Sequence, residues 1–355
     1  MADDTYLTRR RPPERLGEEG RRLNSAGSAV VVSLAALLVG LLLNAPGIRK
    51  SAHIQPEGWK RDVALSVADP LEDVSHTLLL DRPRQGLKAV LGRSQDDRID
   101  TAIALPVEPP AASEPPPPPP RQKFSPSRPL RLWIAGDSLV IVPGESLLRA
   151  TAGNRAIERT GDVDGRIASG LERPDVFNWF THLQKVMKTE RPRAVVLMFG
   201  GNDDHGFMTG LPEGIEITTF GNSSWSREYR RRVAGVMDTV TRGGAYLVWI
   251  GLPISGDSAQ TQRFDTINAI VESEAAKRPG RVAYLDTYYF FAGDNGGFAQ
   301  FVADGSGKLV KMRADDGVHF ERPAGDLIAD KVEALLEQRF DLTSWRQDQS
   351  GTRGG

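Results

Sequence analysis

The sequence predicts an α/β domain built on a parallel sheet covered on both faces. Two observations predict the sheet. The runs "LRLWIAG", "RAVVLMFGG", "AYLVWIGLP" and "RVAYLDTYYFF" are almost continuously apolar, as strands buried on both sides must be. Between them stand residues at helical spacing: Val176, Phe180, Leu183 and Met187, then Val233, Val236, Met237 and Val240. Strands that alternate with helices pair in parallel, because each crossover returns the chain to the same end of the sheet. A third observation, the six consecutive prolines Pro115 to Pro120, marks a segment that cannot belong to that sheet.

The elements follow in order. Residues 1–25 form a polar tail carrying Arg9, Arg10, Arg11, Arg15, Arg21 and Arg22. The stretch "AGSAVVVSLAALLVGLLL" then has no charge. At ~1.5 Å per residue it just reaches across a hydrocarbon core of about 30 Å. We expect a transmembrane signal anchor over residues 26–45, with the tail in the cytoplasm because its arginines precede the span. A cleaved signal peptide is the competing reading, although "LLLNAPGIRK" offers a poor cleavage site.

Residues 46–129 are expected to be an extracytoplasmic stalk. It would hold two short amphipathic helices, near Val63 to Val67 and Leu71 to Leu80, and then the Pro-rich linker. Polyproline II makes that linker a spacer. A docking segment for an SH3-like or other envelope protein partner is its second reading. The α/β domain is expected over residues 130–340, interrupted by a hairpin or loop in "GFAQFVADGSGKLVKMRADDG", with a disordered tail over 341–355.

Composition excludes some classes. The 45 basic and 46 acidic residues leave a net charge of -1, so nothing points to nucleic acid as a partner. The chain has no cysteine, which removes disulfides and thiolate zinc sites. No cofactor or metal is implied. The "GSGK" segment departs from a phosphate loop at Val302 and Leu309, and no H-x-x-x-H pair exists.

Ligands of open α/β sheets sit beyond the carboxyl ends of the strands. Three such places carry unusual polar residues: Gly136-Asp137-Ser138-Leu139, Gly200-Gly201-Asn202-Asp203, and Asp316-Gly317-Val318-His319 before the last helix. Each has a bland reading. Ser138 or Asp137 would serve as a helix cap, Asn202 and Asp203 as a turn, and His319 as a surface histidine. Their joint order is what argues against chance.

That ordered set resembles the SGNH (GDSL-type) hydrolases, and most closely the membrane-anchored bacterial DUF459 group. The resemblance covers residues 130 to 340, not the anchor or stalk. It implies a flavodoxin-like three-layer fold and a Ser-His-Asp site. It also implies a glycine after the second strand. Within "DVDGRIASGLERPD" that glycine is Gly170, with Gly165 as the alternative.

Chemistry assigns roles to the same residues. A serine hydroxyl is a poor nucleophile until a base takes its proton. His319 is the natural base for Ser138, and Asp316, three residues earlier, can hold the other ring nitrogen. Asp315 competes for that role. The oxyanion needs donors aimed at it in advance, and the Asn202 amide and the backbone amides of Gly170 and Ser138 are candidates. His205 and Asp203 are candidate cleft residues; His205 equally suits a solvent-facing loop, and Asp203 a structural role. The expected function is an anchored, extracytoplasmic serine esterase acting on O-acyl groups of cell-envelope glycans. An O-acetyltransferase with the same triad, a lipid-directed lipase or thioesterase, and an inactive SGNH-like scaffold are the alternatives. The scaffold reading draws on Val140-Ile141-Val142-Pro143, which would delay the helix after the serine and displace it.

Overall fold

The computed structural model describes residues 26–53, 55, 59–78, 121–293, 295–304 and 306–346. In chain order, three helices come first: α1 (Ala26–Leu43), α2 (Ala45–His53) and α3 (Trp59–Thr77). The domain then runs β1 (Gln122–Lys123), β2 (Leu130–Gly136), α4 (Ile141–Thr151), β3 (Ile157–Arg159), β4 (Asp164–Gly165) and α5 (Trp179–Thr189). It continues with β5 (Ala194–Met198), α6 (Ser223–Arg242), β6 (Tyr246–Ile250), α7 (Ser258–Ala276) and β7 (Val282–Leu285). The hairpin β8 (Phe301–Ala303) and β9 (Leu309–Lys311), α8 (Arg322–Arg339) and β10 (Phe340–Asp341) complete it.

The four apolar runs are β2, β5, β6 and β7. Every residue of β5, and all of β2 except Arg131, is buried, so neither strand can face water on either side. The sheet is parallel with order β3-β2-β5-β6-β7, and β4 pairs with β2 beyond β3. Counted along the chain, this is the doubly wound 2-1-3-4-5 order. The chain steps from β2 to β3 on one side and to β5 on the other, which opens a crevice at the carboxyl ends of β2 and β5. Right-handed crossovers then place α4 on one face and α5, α6 and α7 on the other. α4 packs on α8, and α6 packs on both α5 and α7. Trp179, Phe199 and Trp249 stack edge to face inside the second layer, with centroids 4.9 and 5.6 Å apart.

The tip of β2 passes unusually close to β5. A Cβ on Gly136 would stand 2.0 Å from the Met198 carbonyl oxygen, and its φ is +156°. Glycine is required there because any side chain would part the two strands that frame the crevice.

Several expectations are corrected. Val176 is exposed and precedes α5 rather than joining it. The ordered domain is longer at both ends than residues 130–340. β1 pairs with β10, Phe124 is buried, and Leu342 is 1% exposed, so residues 341–346 are part of the folded domain rather than of a disordered tail. These edges were missed because strands of two or three residues carry no period to read. The hairpin forms as expected. The 1–25 tail and the Pro-rich tract lie outside the described residues, as do residues 347–355.

The stalk region differs most. Its two expected helices are one, α3, which runs through Pro70. The carbonyl that Pro70 leaves without a partner, on Ser66, lies on an exposed stretch where water can reach it. The expected second helix reached Leu80, beyond the described Leu78. α2 and α3 also dock on the domain, against the loop of residues 205–220. Arg49 donates to both Glu216 oxygens at 2.8 and 3.0 Å, and Lys50 pairs with Asp175. Arg61 donates to the Thr218 and His205 carbonyls at 2.6 and 3.2 Å. His53 stacks on Phe207 at 4.8 Å. No single helix among the described residues is long and apolar enough to cross a membrane. The pair Ala29–Leu43 and Ala45–His53, bent by 66°, passes by length and composition.

Candidate active site

Ser138 follows the tip of β2 because Asp137 ties that tip down. Asp137 is fully buried and accepts from the Leu139 amide at 2.9 Å and from the Gly200 and Gly201 amides at 3.0 and 2.8 Å. One carboxyl thus joins the loops that leave β2 and β5. Burial pushes its pKa up to about 7, against the downward pull of those amides. Asp137 caps a 3-10 turn over Ser138–Val140, which passes directly into α4. The helix after the serine is therefore not delayed, and Pro143 sits within its first turn, where a missing N–H costs nothing. Ser138 stands at the start of helical structure, where backbone N–H groups point outward without intrahelical partners.

The base arrives from the far end of the chain. The Ser138 Oγ lies 2.8 Å from His319 Nε2, and His319 Nδ1 lies 2.7 Å from Asp316 Oδ2. A carboxylate only accepts, so Nδ1 carries the proton and Nε2 is free to accept from the hydroxyl. Asp316 Oδ1 also accepts from the Val318 and His319 amides at 2.8 and 2.9 Å. Partial burial raises the Asp316 pKa, but those amides and the His319 ring more than offset it and hold it at about 2. Asp315 instead meets Lys311 and Gln300, which settles the choice between the two acids on geometry.

Arg313 holds this turn in place, and sequence reasoning missed it. It is fully buried and donates to the carbonyls of Ile254, Val318, Gly317 and His319 at 2.6, 2.6, 3.1 and 3.3 Å. Its guanidinium lies over Phe291, Phe298 and Phe320. Burial lowers its pKa to about 10 despite Asp316 nearby. A lone arginine in a polar loop gives no signal in a sequence.

The third wall is the loop after β4. Asn202 Nδ2 donates to the Ser169 carbonyl at 3.0 Å, which brings the Asn202 amide beside Gly170. Asp203 is not a cleft residue. It is fully buried and accepts from the Leu171 and Glu172 amides and the Tyr229 hydroxyl, each at 2.9 Å. A Cβ on Gly170 would stand 2.0 Å from Asp203 Oδ1, so only glycine lets the loop close on that carboxylate. Gly165 has a different task. On β4 it pairs with Gly136 of β2, and a Cβ there would meet Ile141. His205 is part-exposed, 3.4 Å from Asp204.

Behind this wall stands a buried network that the sequence did not disclose. Glu172 accepts from Trp225 Nε1 and from the Gly206 amide at 3.2 Å. Burial, with Asp203 adding repulsion, pushes its pKa well above the usual range. Arg232 is fully buried and binds the carbonyls of Leu171, Glu172 and Thr209 at 2.7, 3.1 and 2.7 Å. Its one trace in the sequence is position: it falls beside Val233 on the apolar face of α6. Among the described residues, no three His, Asp or Glu side chains converge on a point that would hold a metal ion.

The family model described as "Protein of unknown function (DUF459)" matches residues 131–335. The chain belongs to the DUF459 family. No curated protein matches its sequence. Among solved structures, this DUF459 protein is similar to an α/β hydrolase, LAE5, from the metagenome of Lake Arreo in Spain. They share 15% identity over 58% of this chain and 94% of that one, with a TM-score of 0.42. A GDSL-like lipase of Bacteroides thetaiotaomicron is 12% identical over 59% and 88%, with a TM-score of 0.40. An acetylxylan esterase of Geobacillus stearothermophilus, Axe2, is 14% identical over 58% and 93%, with a TM-score of 0.39. The match to DUF459 agrees with the group suggested by the G-D-S-L, G-G-N-D and D-G-V-H blocks.

Proposed function

We propose that this DUF459 protein is a membrane-anchored serine esterase of SGNH type, acting outside the bacterial cytoplasmic membrane on short O-acyl groups of envelope glycans. One observation carries the reading: Ser138 Oγ stands 2.8 Å from His319 Nε2, whose other nitrogen meets Asp316. Nε2 takes the hydroxyl proton as Oγ attacks the acyl carbon. Asp316 stabilises the imidazolium, and the Ser138, Gly170 and Asn202 amides receive the oxyanion. The protonated ring then gives its proton to the departing sugar oxygen, leaving an acyl-serine. Water, losing a proton to His319, releases the acid and restores the serine.

Exposure supports water as the final acceptor. The His319 and Asp316 side chains are 44% and 50% exposed, so among the described residues the base that would activate water is open to solvent, where a transferase would need to exclude it. An open site also suits a bulky polymer carrying a small acyl group. The anchoring part of the proposal is supported by α1, which is apolar and exposed from Ala29 to Leu41, and by the six arginines before it. The deciding experiment incubates the full chain with nitrophenyl acetate and a fluorophosphonate probe, beside Ser138→Ala. Turnover and labelling confined to the unaltered chain support the esterase, whereas a chain silent in both assays favours the scaffold.

A further inference from the structure

α3 wears its amphipathic character inside out. Its buried residues are Arg61, Ala68 and Ser75, spaced by seven and therefore on one side. They are small or polar and touch the rest of the protein. Arg61 binds two carbonyls of the 205–220 loop, and Ser75 Oγ donates to the Leu42 carbonyl of α1 at 2.7 Å. A different side, about 120° round the helix, carries Trp59, Val63, Val67 and Val74, with Leu78 just past the end, all exposed. At 3.6 residues per turn these five form a single stripe, with Trp59 and Lys60 at one end of it. An apolar stripe normally faces the core. Here the core side is satisfied by hydrogen bonds and the apolar side is uncovered.

We propose that α3 is an interfacial helix whose Trp59–Leu78 stripe lies in the outer surface of the bilayer that holds α1. The inference rests on the anchoring of α1 and is independent of the esterase reading. Three features select a bilayer as the cover. α3 joins α1 directly, through Ser75 and Leu42, and α1 is apolar and exposed from Ala29 to Leu41. The 66° bend between α1 and α2 turns the chain from a path across the bilayer towards its plane, and α3 packs along α2. The stripe begins with a tryptophan and a lysine, residue types that favour the headgroup level. The consequence reaches the site. Arg49, His53 and Arg61 clamp the loop that follows Asn202, and Lys50 holds Asp175 in the loop after β4, so the candidate cleft is held beside the membrane rather than at the end of a spacer.

The chain lacks cysteine, so single nitroxide labels report one position each. The full chain, in phospholipid nanodiscs, would be labelled in turn through Val63→Cys, Val67→Cys, Leu38→Cys in α1 and Asp62→Cys on the flank of α3. Collisions with oxygen and with a water-soluble nickel chelate are then compared. Labels at 63 and 67 should favour oxygen severalfold over the label at 62, as the label at 38 does. Lipid contact at 38 with nickel contact at 63 and 67 overturns the interfacial helix and leaves the anchor standing. Nickel contact at 38 overturns both. Labels at 63 and 67 shielded from both reagents mean that another part of the chain covers the stripe. Dipolar coupling between copies means that a second molecule does. Either result also overturns the proposal.

Discussion

The imidazole of His319 and the hydroxyl of Ser138, 181 positions apart in the chain, meet at 2.8 Å across the carboxyl end of one parallel sheet. Removing either end of this contact should stop the chemistry. Ser138→Ala should abolish fluorophosphonate labelling. His319→Ala should lower kcat for a short-chain ester by about 10³–10⁴-fold, read by spectrophotometric assay.

Asp316 and Asp315 separate cleanly. Asp316→Asn keeps the side chain's shape but replaces its acceptor beside Nδ1, and should lower kcat by about 10⁴-fold. Among the described residues, Asp315 pairs with Lys311 and Gln300 and not with His319, so Asp315→Asn should leave kcat and KM unchanged. Equal losses in the two variants would contradict the geometry.

Asn202→Ala should cost about 10²–10³ in kcat with little change in KM, because an oxyanion donor works in the transition state rather than on bound substrate. A rise in KM alone would place Asn202 among substrate contacts instead.

Gly170→Ala should destabilise the fold by about 1–3 kcal/mol in urea unfolding, since its Cβ would stand 2.0 Å from the buried Asp203 carboxylate. Gly153→Ala, where a Cβ meets nothing, is the matching control and should change little.

Acid should weaken the turn that carries His319. The folded Asp316 pKa lies at about 2, below its ordinary 3.8. A depressed carboxyl contributes stability that is complete above the unfolded value and lost as pH falls through the folded one. Thermal unfolding between pH 4 and pH 2 should therefore fall more steeply for the unaltered chain than for Asp316→Asn. Parallel curves would show that the carboxylate's bonds contribute nothing to stability.

The four main strands were legible because burial leaves a local mark: β2, β5 and β6 are buried at nearly every position, and β7, of which only Val282 is buried, is still apolar throughout. The polar blocks at their ends were legible for the same reason, as exceptions to that mark. Arg313 and Arg232 were not. Each is an ordinary arginine in the sequence, and each became a scaffold by gathering carbonyls from segments far apart in the chain. Asp203 stands between these cases. Its position beside Asn202 was plain, but whether it faced the cleft or the Leu171 and Glu172 amides depended on a loop some 30 residues earlier in the chain.

By itself the sequence determined the alternation of buried strands and helices, the places where polar residues interrupt it, and the absence of thiol chemistry. Those are properties of neighbouring residues, fixed by side-chain type and spacing. Tertiary structure alone decided that His319 meets Ser138, which glycine closes on Asp203, and that α3 docks by its polar face. Each of these depends on distances between segments that strand order and helix docking set, and no window along the chain contains both partners.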